Sequence, residues 1–333
     1  MSWRLPFLVL GFISLVFGVA GGLARLSPID VSLNAVAFHG ALMVSAFFGT
    51  VISLERAVAL ARPWAYLAPL SAGVGGIYLI LGRPDEGFQA MTLAAAVLVV
   101  ASIAILRRQR SVEMATLGAG AVAWLVGNAS VLVGLAAVPW WIAFFALTIG
   151  AERLELSRYL KRTRFARDSF VALAVGMILM PPFPRLLGLV LVLLALWLFA
   201  FDLARVTVRQ ARLTRYVAVC LLAGYFWLAL GGLLMALSID YEAALHTIFV
   251  GFVFSMVFGH APIIVPAVLR VSFRYHPALY APLILLHGSL ALRLFWVQAG
   301  AWGNAAAIVL FIATALFLVL RVDSHQSANS TPR

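Results

Sequence analysis

The sequence predicts an all-α polytopic membrane protein of about twelve spans, on the evidence of its composition, its apolar run lengths and its charge distribution. Of its 333 residues 64% are hydrophobic and 11% charged, and the mean hydropathy is +1.05. A water-soluble fold cannot hide that much apolar surface, because surface scaling leaves a large share of any chain in contact with solvent. In a bilayer, backbone polar groups must be satisfied within a segment or a closed barrel. The apolar runs are about 20 residues long and lack strand alternation, so helices are expected.

The expected spans are 6–24, 34–60, 65–82, 90–106, 113–136, 139–157, 166–180, 183–201, 216–237, 243–269, 277–297 and 302–320. The apolar core of 6–24 is long for a signal peptide and reads as a retained span. Polar breaks such as 83–87 and 107–111 separate most of the others. Residues 1–322 are expected to form one transmembrane domain, and 323–333 a disordered cytoplasmic tail.

Charge gives direction. With Arg4 placed in the cytoplasm, 20 of the 24 basic residues fall on the cytoplasmic side, and only Arg25, Arg83, Arg185 and Arg293 fall outward. This is the positive-inside pattern of a bacterial-type inner membrane protein with both termini cytoplasmic. The net charge of +12 is therefore topological. No nucleic-acid motif, phosphate loop, nucleophile elbow or zinc spacing accompanies it. The lone Cys220 excludes an internal disulfide.

A four-helix repeat is suggested by short matches. Ala46-Phe47-Phe48 precedes Glu55-Arg56 at the spacing with which Ala143-Phe144-Phe145 precedes Glu152-Arg153, and His39 sits near the start of the second span as His246 does in the tenth. Three such repeats would give pseudo-threefold order.

Polar side chains at membrane depth are costly and mark candidate sites. His276 and His325 lie in a loop and the tail, whereas His39, His246, His260 and His287 lie inside expected spans. Span direction puts His39 and His246 in the outer part of the membrane, and His260 and His287 both about 15 Å from its cytoplasmic edge. His246 and His260 are fourteen residues apart, close to four α-helical turns and hence nearly on one face. Neutral imidazole is a good ligand for haem iron and copper, and a bis-histidine haem takes one histidine from each of two helices. The pairs His39/His246 and His260/His287 would supply this for haem b, with copper as a second metal. Gly40, Gly251 and Gly259 would let a macrocycle approach the backbone. Arg293 is a candidate partner for haem propionates. The bland alternative is interhelical hydrogen bonding. Glu55-Arg56 and Glu152-Arg153 read as anchoring charges near helix ends rather than a relay. Trp124, Trp140 and Trp141 read as belt or lipid-facing residues.

The helix count, the histidines of the second and tenth spans, and the segment Gly251-Phe252-Val253-Phe254-Ser255-Met256-Val257-Phe258-Gly259-His260 resemble the NnrS family and, more distantly, the haem-copper oxidases. The resemblance implies haem and copper held by His39, His246, His260 and His287, and electron transfer or nitric-oxide handling with a redox partner or small gaseous ligand. It departs at 139–180, which contains no histidine, so the oxygen-reducing binuclear centre is not expected. A secondary transporter of a small solute and a non-catalytic assembly subunit of a respiratory complex are the alternatives.

Overall fold

The computed structural model describes residues 3–157 and 163–328. Arg158, Lys161 and Arg162, which the sequence places among the cytoplasmic charges, lie outside the described residues. The described structure is all helical, with fourteen helices and no strand. They are α1 (Leu5–Ala24), α2 (Leu33–Ala37), α3 (His39–Leu60), α4 (Leu67–Ile80), α5 (Pro84–Arg108), α6 (Val112–Leu132), α7 (Val138–Leu156), α8 (Arg164–Leu179), α9 (Pro184–Phe201), α10 (Ala204–Thr207), α11 (Arg212–Leu237), α12 (Tyr241–Leu269), α13 (Tyr280–Arg293) and α14 (Val297–Ala328). The backbone is therefore helical as far as Ala328, where the sequence predicts a disordered tail from 323; residues 329–333 lie outside the described set.

Every expected span coincides with helix, but the count of twelve is corrected. Among the described residues, eight helices are long and apolar enough to cross a membrane: α1, α3, α5, α6, α9, α11, α12 and α14. Helices α4 and α13 have 14 residues each and α8 has 16; at 1.5 Å per residue these reach about 21–24 Å, short of the roughly 30 Å hydrocarbon core. Helix α7 has 19 residues but carries Glu152, Arg153 and Glu155 in its last turns. Segment boundaries drawn on hydropathy alone absorb flanking turns such as Pro63–Tyr66 and Pro277–Leu279, which are 3₁₀.

Helix ends obey local chemistry. Ser32, Ser111, Thr163 and Asp240 cap α2, α6, α8 and α12, each side-chain oxygen accepting an N–H three residues on. Pro84 opens α5, where no intrahelical donor is required. Helix α12 continues through Pro262 and Pro266 and ends at Arg270, whose φ of 57° is left-handed.

The helices cluster into two compact units, Met1–Leu187 and Gly188–Arg333. In the first, α1 packs on α3 and α4, and the sequential neighbours α4, α5, α6 and α7 pack in turn. In the second, α11 packs along α12, and α13 pairs with α14. Among the described residues each unit contains one helix interrupted by a π segment: Leu42–Phe48 in α3 and Thr247–Phe254 in α12. Such i→i+5 turns are rare and favour functional sites. The sixth expected span, α7, is α-helical throughout, so this feature is shared by the second and tenth spans only.

Candidate histidine sites

In the first unit, His39 stands at the start of α3, three residues before the π segment. Its Nδ1 lies 2.8 Å from the Gly18 carbonyl on α1. A carbonyl can only accept, so Nδ1 carries the proton and the neutral ring keeps its lone pair on Nε2. Metal-ligating histidines are commonly oriented in this way, with the other ring nitrogen donating to a carbonyl. Gly22 makes it fit, because a Cβ there would come within 2.8 Å of the ring's Nδ1 and Cε1. A Cβ at Gly40, the next residue, would meet nothing within 4 Å, so the backbone there is open.

Below His39 the π segment is clamped by a buried polar cluster. Ser45 Oγ donates to Asn128 Oδ1 at 2.7 Å, and Trp141 Nε1 donates to the same oxygen at 3.1 Å. Asn128 Nδ2 donates to the Met91 carbonyl at 3.2 Å, and Trp124 Nε1 to Ser45 Oγ at 2.9 Å. Four helices, α3, α5, α6 and α7, meet here. Trp124 and Trp141 are buried, which corrects their assignment as belt or lipid-facing residues. Their indole N–H groups need acceptors away from water, and the cluster supplies them. Near the other end of α3, Arg56 pairs with Glu152 of α7 at 2.7 Å. The two charged dipeptides are thus joined across helices rather than anchoring each end separately.

In the second unit, His246 Nδ1 lies 2.7 Å from the Glu242 carbonyl, and its Nε2 lies 3.1 Å from Arg293 Nη2. Arginine only donates, so the Nε2 lone pair of His246 receives the guanidinium. His287 is the opposite tautomer. Trp227 Nε1 donates to its Nδ1 at 2.8 Å, with the rings stacked at 13°, so the proton must sit on Nε2. That nitrogen faces Ser255 Oγ at 3.4 Å, and Ser255 in turn donates to the Cys220 carbonyl at 2.7 Å. His260 Nδ1 lies 2.7 Å from the Met256 carbonyl, which places its lone pair on Nε2.

The four expected ligands therefore divide. His39, His246 and His260 have the proton on a carbonyl-bonded Nδ1 and His287 has it on Nε2; the lone pairs of His246 and His287 receive N–H groups of Arg293 and Trp227. Two of the three glycines named for a macrocycle are occupied. A Cβ at Gly251 would collide with the Trp227 side chain, and one at Gly259 would fall 3.1 Å from Cys220 Cβ; only Gly40 is open. The shared face inferred for His246 and His260 also fails, because the π segment between them adds a residue to the turn and rotates the rest of the helix by about 100°. Among the described residues no group of three or more His, Cys, Asp or Glu is placed to hold a metal ion. Sequence reasoning misses Asn128, Ser45 and Ser255. Their signal, a polar side chain inside an apolar run, is present but weak for residues that can bond their own helix.

The fold and the polar sites within its apolar helices define a multi-pass helical membrane protein embedded in lipid. The chain belongs to the family described as a domain of unknown function (DUF8744), whose model matches residues 4–320. No curated protein and no solved structure matches it.

Proposed function

We propose that this is a membrane-embedded haem protein, with copper as the second candidate metal, serving electron transfer or nitric-oxide handling. The observation that carries the reading is His39: an imidazole oriented by a neighbouring helix's carbonyl at 2.8 Å, seated on Gly22 and beside the open Gly40. His260 has the same tautomer. Imidazole-ligated iron or copper would supply one-electron chemistry when bound. In this reading His39 and His260 are ligands, His246 holds Arg293 as a partner for a carboxylate such as a propionate, and Trp227 and Ser255 position His287. The NnrS resemblance supplies the nitric-oxide part. An even number of crossings, eight as well as twelve, places both termini on one side; that side is the cytoplasm in the charge pattern of twelve spans.

The optical spectrum and metal content of the purified protein test it. A Soret band or stoichiometric copper, lost in His39→Ala or His260→Ala and retained in His287→Ala, is expected. A colourless protein without iron or copper would overturn the proposal. One observation favours a second reading, a secondary transporter: the π segments interrupt one helix in each unit, and substrate sites of transporters lie at such interruptions. Solute flux by a colourless protein in proteoliposomes would select it.

A further inference from the structure

The turn joining α9 to α11 concentrates positive charge. Between Arg185 and Asp240 the sequence holds one acidic residue, Asp202, and four basic ones, Arg205, Arg209, Arg212 and Arg215. Asp202 is buried, and its Oδ1 accepts the Ala204 N–H at 2.6 Å, capping the short helix α10. The chain continues in tight turns, with the Val208 N–H on Ala204 O at 3.0 Å and the Arg209 N–H on Val206 O at 3.2 Å. Arg215, in the first turn of α11, reaches back to donate its Nε to the Val208 carbonyl at 3.2 Å. This draws its guanidinium onto the same turn as Arg205 and Arg209. Arg212 completes the group from a left-handed φ of 57°, a conformation that non-glycine residues seldom take. All four arginines are exposed.

Both helices that the turn connects are long and apolar enough to cross a bilayer. The turn therefore lies where they leave the hydrocarbon, at the level of lipid headgroups. Val206, 44% exposed within it, gives it an apolar side chain that suits the same interface. Guanidinium groups fork onto phosphate oxygens, and clustered basic residues beside membrane helices attract anionic headgroups. We propose that this turn is a binding site for the phosphate of an anionic phospholipid. The backbone tie of Arg215 holds its guanidinium at the turn, and the exposed Arg205 and Arg209 add charge from the same turn.

The test uses the full chain, delipidated in mild detergent. Native mass spectrometry with added phosphatidylglycerol or phosphatidylcholine measures lipid retention, and thermal unfolding measures stabilisation. Wild type is expected to retain phosphatidylglycerol about tenfold better than phosphatidylcholine, with the preference screened away at high salt. The variant R205Q/R209Q/R212Q/R215Q should lose the preference, whereas R107Q/R108Q/R110Q, elsewhere in the chain, should keep it. If the fourfold variant fails to fold, Arg215→Gln alone should still weaken retention several-fold. Equal retention of the two lipids by wild type, or an unchanged preference in the variants, overturns the proposal. So does displacement of the lipid by millimolar inorganic phosphate, which would make this a site for a soluble anion.

Discussion

Replacing Asn128 by Leu removes the hub of the cluster that clamps the π segment of α3. The side chain makes three interhelical hydrogen bonds: from Ser45 at 2.7 Å, from Trp141 at 3.1 Å and to the Met91 carbonyl at 3.2 Å. Interhelical hydrogen bonds in membranes average about 0.6 kcal/mol, so three give roughly 2 kcal/mol. Leucine is close in volume and leaves no large cavity, but it strands the buried Trp141 N–H, adding about 1–2 kcal/mol. The expected loss is thus about 3–4 kcal/mol, a shift of two to three decades in the folding equilibrium. Reversible unfolding of the full chain in mixed detergent micelles measures it. The coupling has a direction as well: Ser45→Ala in the Asn128→Leu background should cost less than Ser45→Ala alone, because its main partner has gone. A loss below about 0.5 kcal/mol, or strict additivity of the two changes, would refute the view that this cluster fixes the π segment.

Other substitutions test the same geometry. Gly22→Val should push the His39 ring off the Gly18 carbonyl, since even a Cβ would come within 2.8 Å of it; metal content should fall as far as in His39→Ala while the protein remains folded by circular dichroism. Arg56→Gln should destabilise by about 1 kcal/mol, discounted because its partner Glu152 is 30% exposed, and the exchange Arg56→Glu with Glu152→Arg should recover part of that loss in detergent unfolding. A reporter fused after the last residue should report the same side of the membrane as one fused at the N-terminus; opposite sides would exclude an even number of crossings.

Helix positions are legible because hydropathy reports burial in lipid directly, and every expected span falls on a helix. Their capacity to cross is not, because hydropathy windows do not separate a full α-helix from a short one extended by a 3₁₀ turn. Residues 63–80 show the difference: Pro63–Tyr66 is 3₁₀, and only Leu67–Ile80 is α-helical. The tryptophans depart from expectation for another reason. Amphipathic indoles suit an interface, but Trp124 and Trp141 find Ser45 and Asn128 as acceptors in the interior, and such partners are set by tertiary packing that composition does not reveal. The π segments are invisible in principle, since Leu42–Phe48 and Thr247–Phe254 are ordinary apolar helical sequence. Their consequence is large, because an added residue per turn rotates His260 away from the face of His246.

The histidines show how far residue type can carry a functional inference. Four imidazoles in apolar segments look equivalent in sequence, and their pairing by depth needs twelve alternating spans, which the eight crossing helices among the described residues do not supply. Hydrogen-bond partners separate them by a criterion that depth does not contain. A carbonyl forces the proton onto Nδ1 of His39, His246 and His260, while the Trp227 indole forces it onto Nε2 of His287. Arg293 then occupies the lone pair of His246. The lone pairs of His246 and His287 thus both accept from neighbouring side chains, through different ring nitrogens. Substitution should reveal this asymmetry: Trp227→Phe would release Nδ1 of His287 and let the ring change tautomer, shifting its nitrogen resonances in spectra of imidazole-labelled protein. The signals of His39 and His260 should stay in place. Unchanged His287 resonances would show that the indole does not set its tautomer.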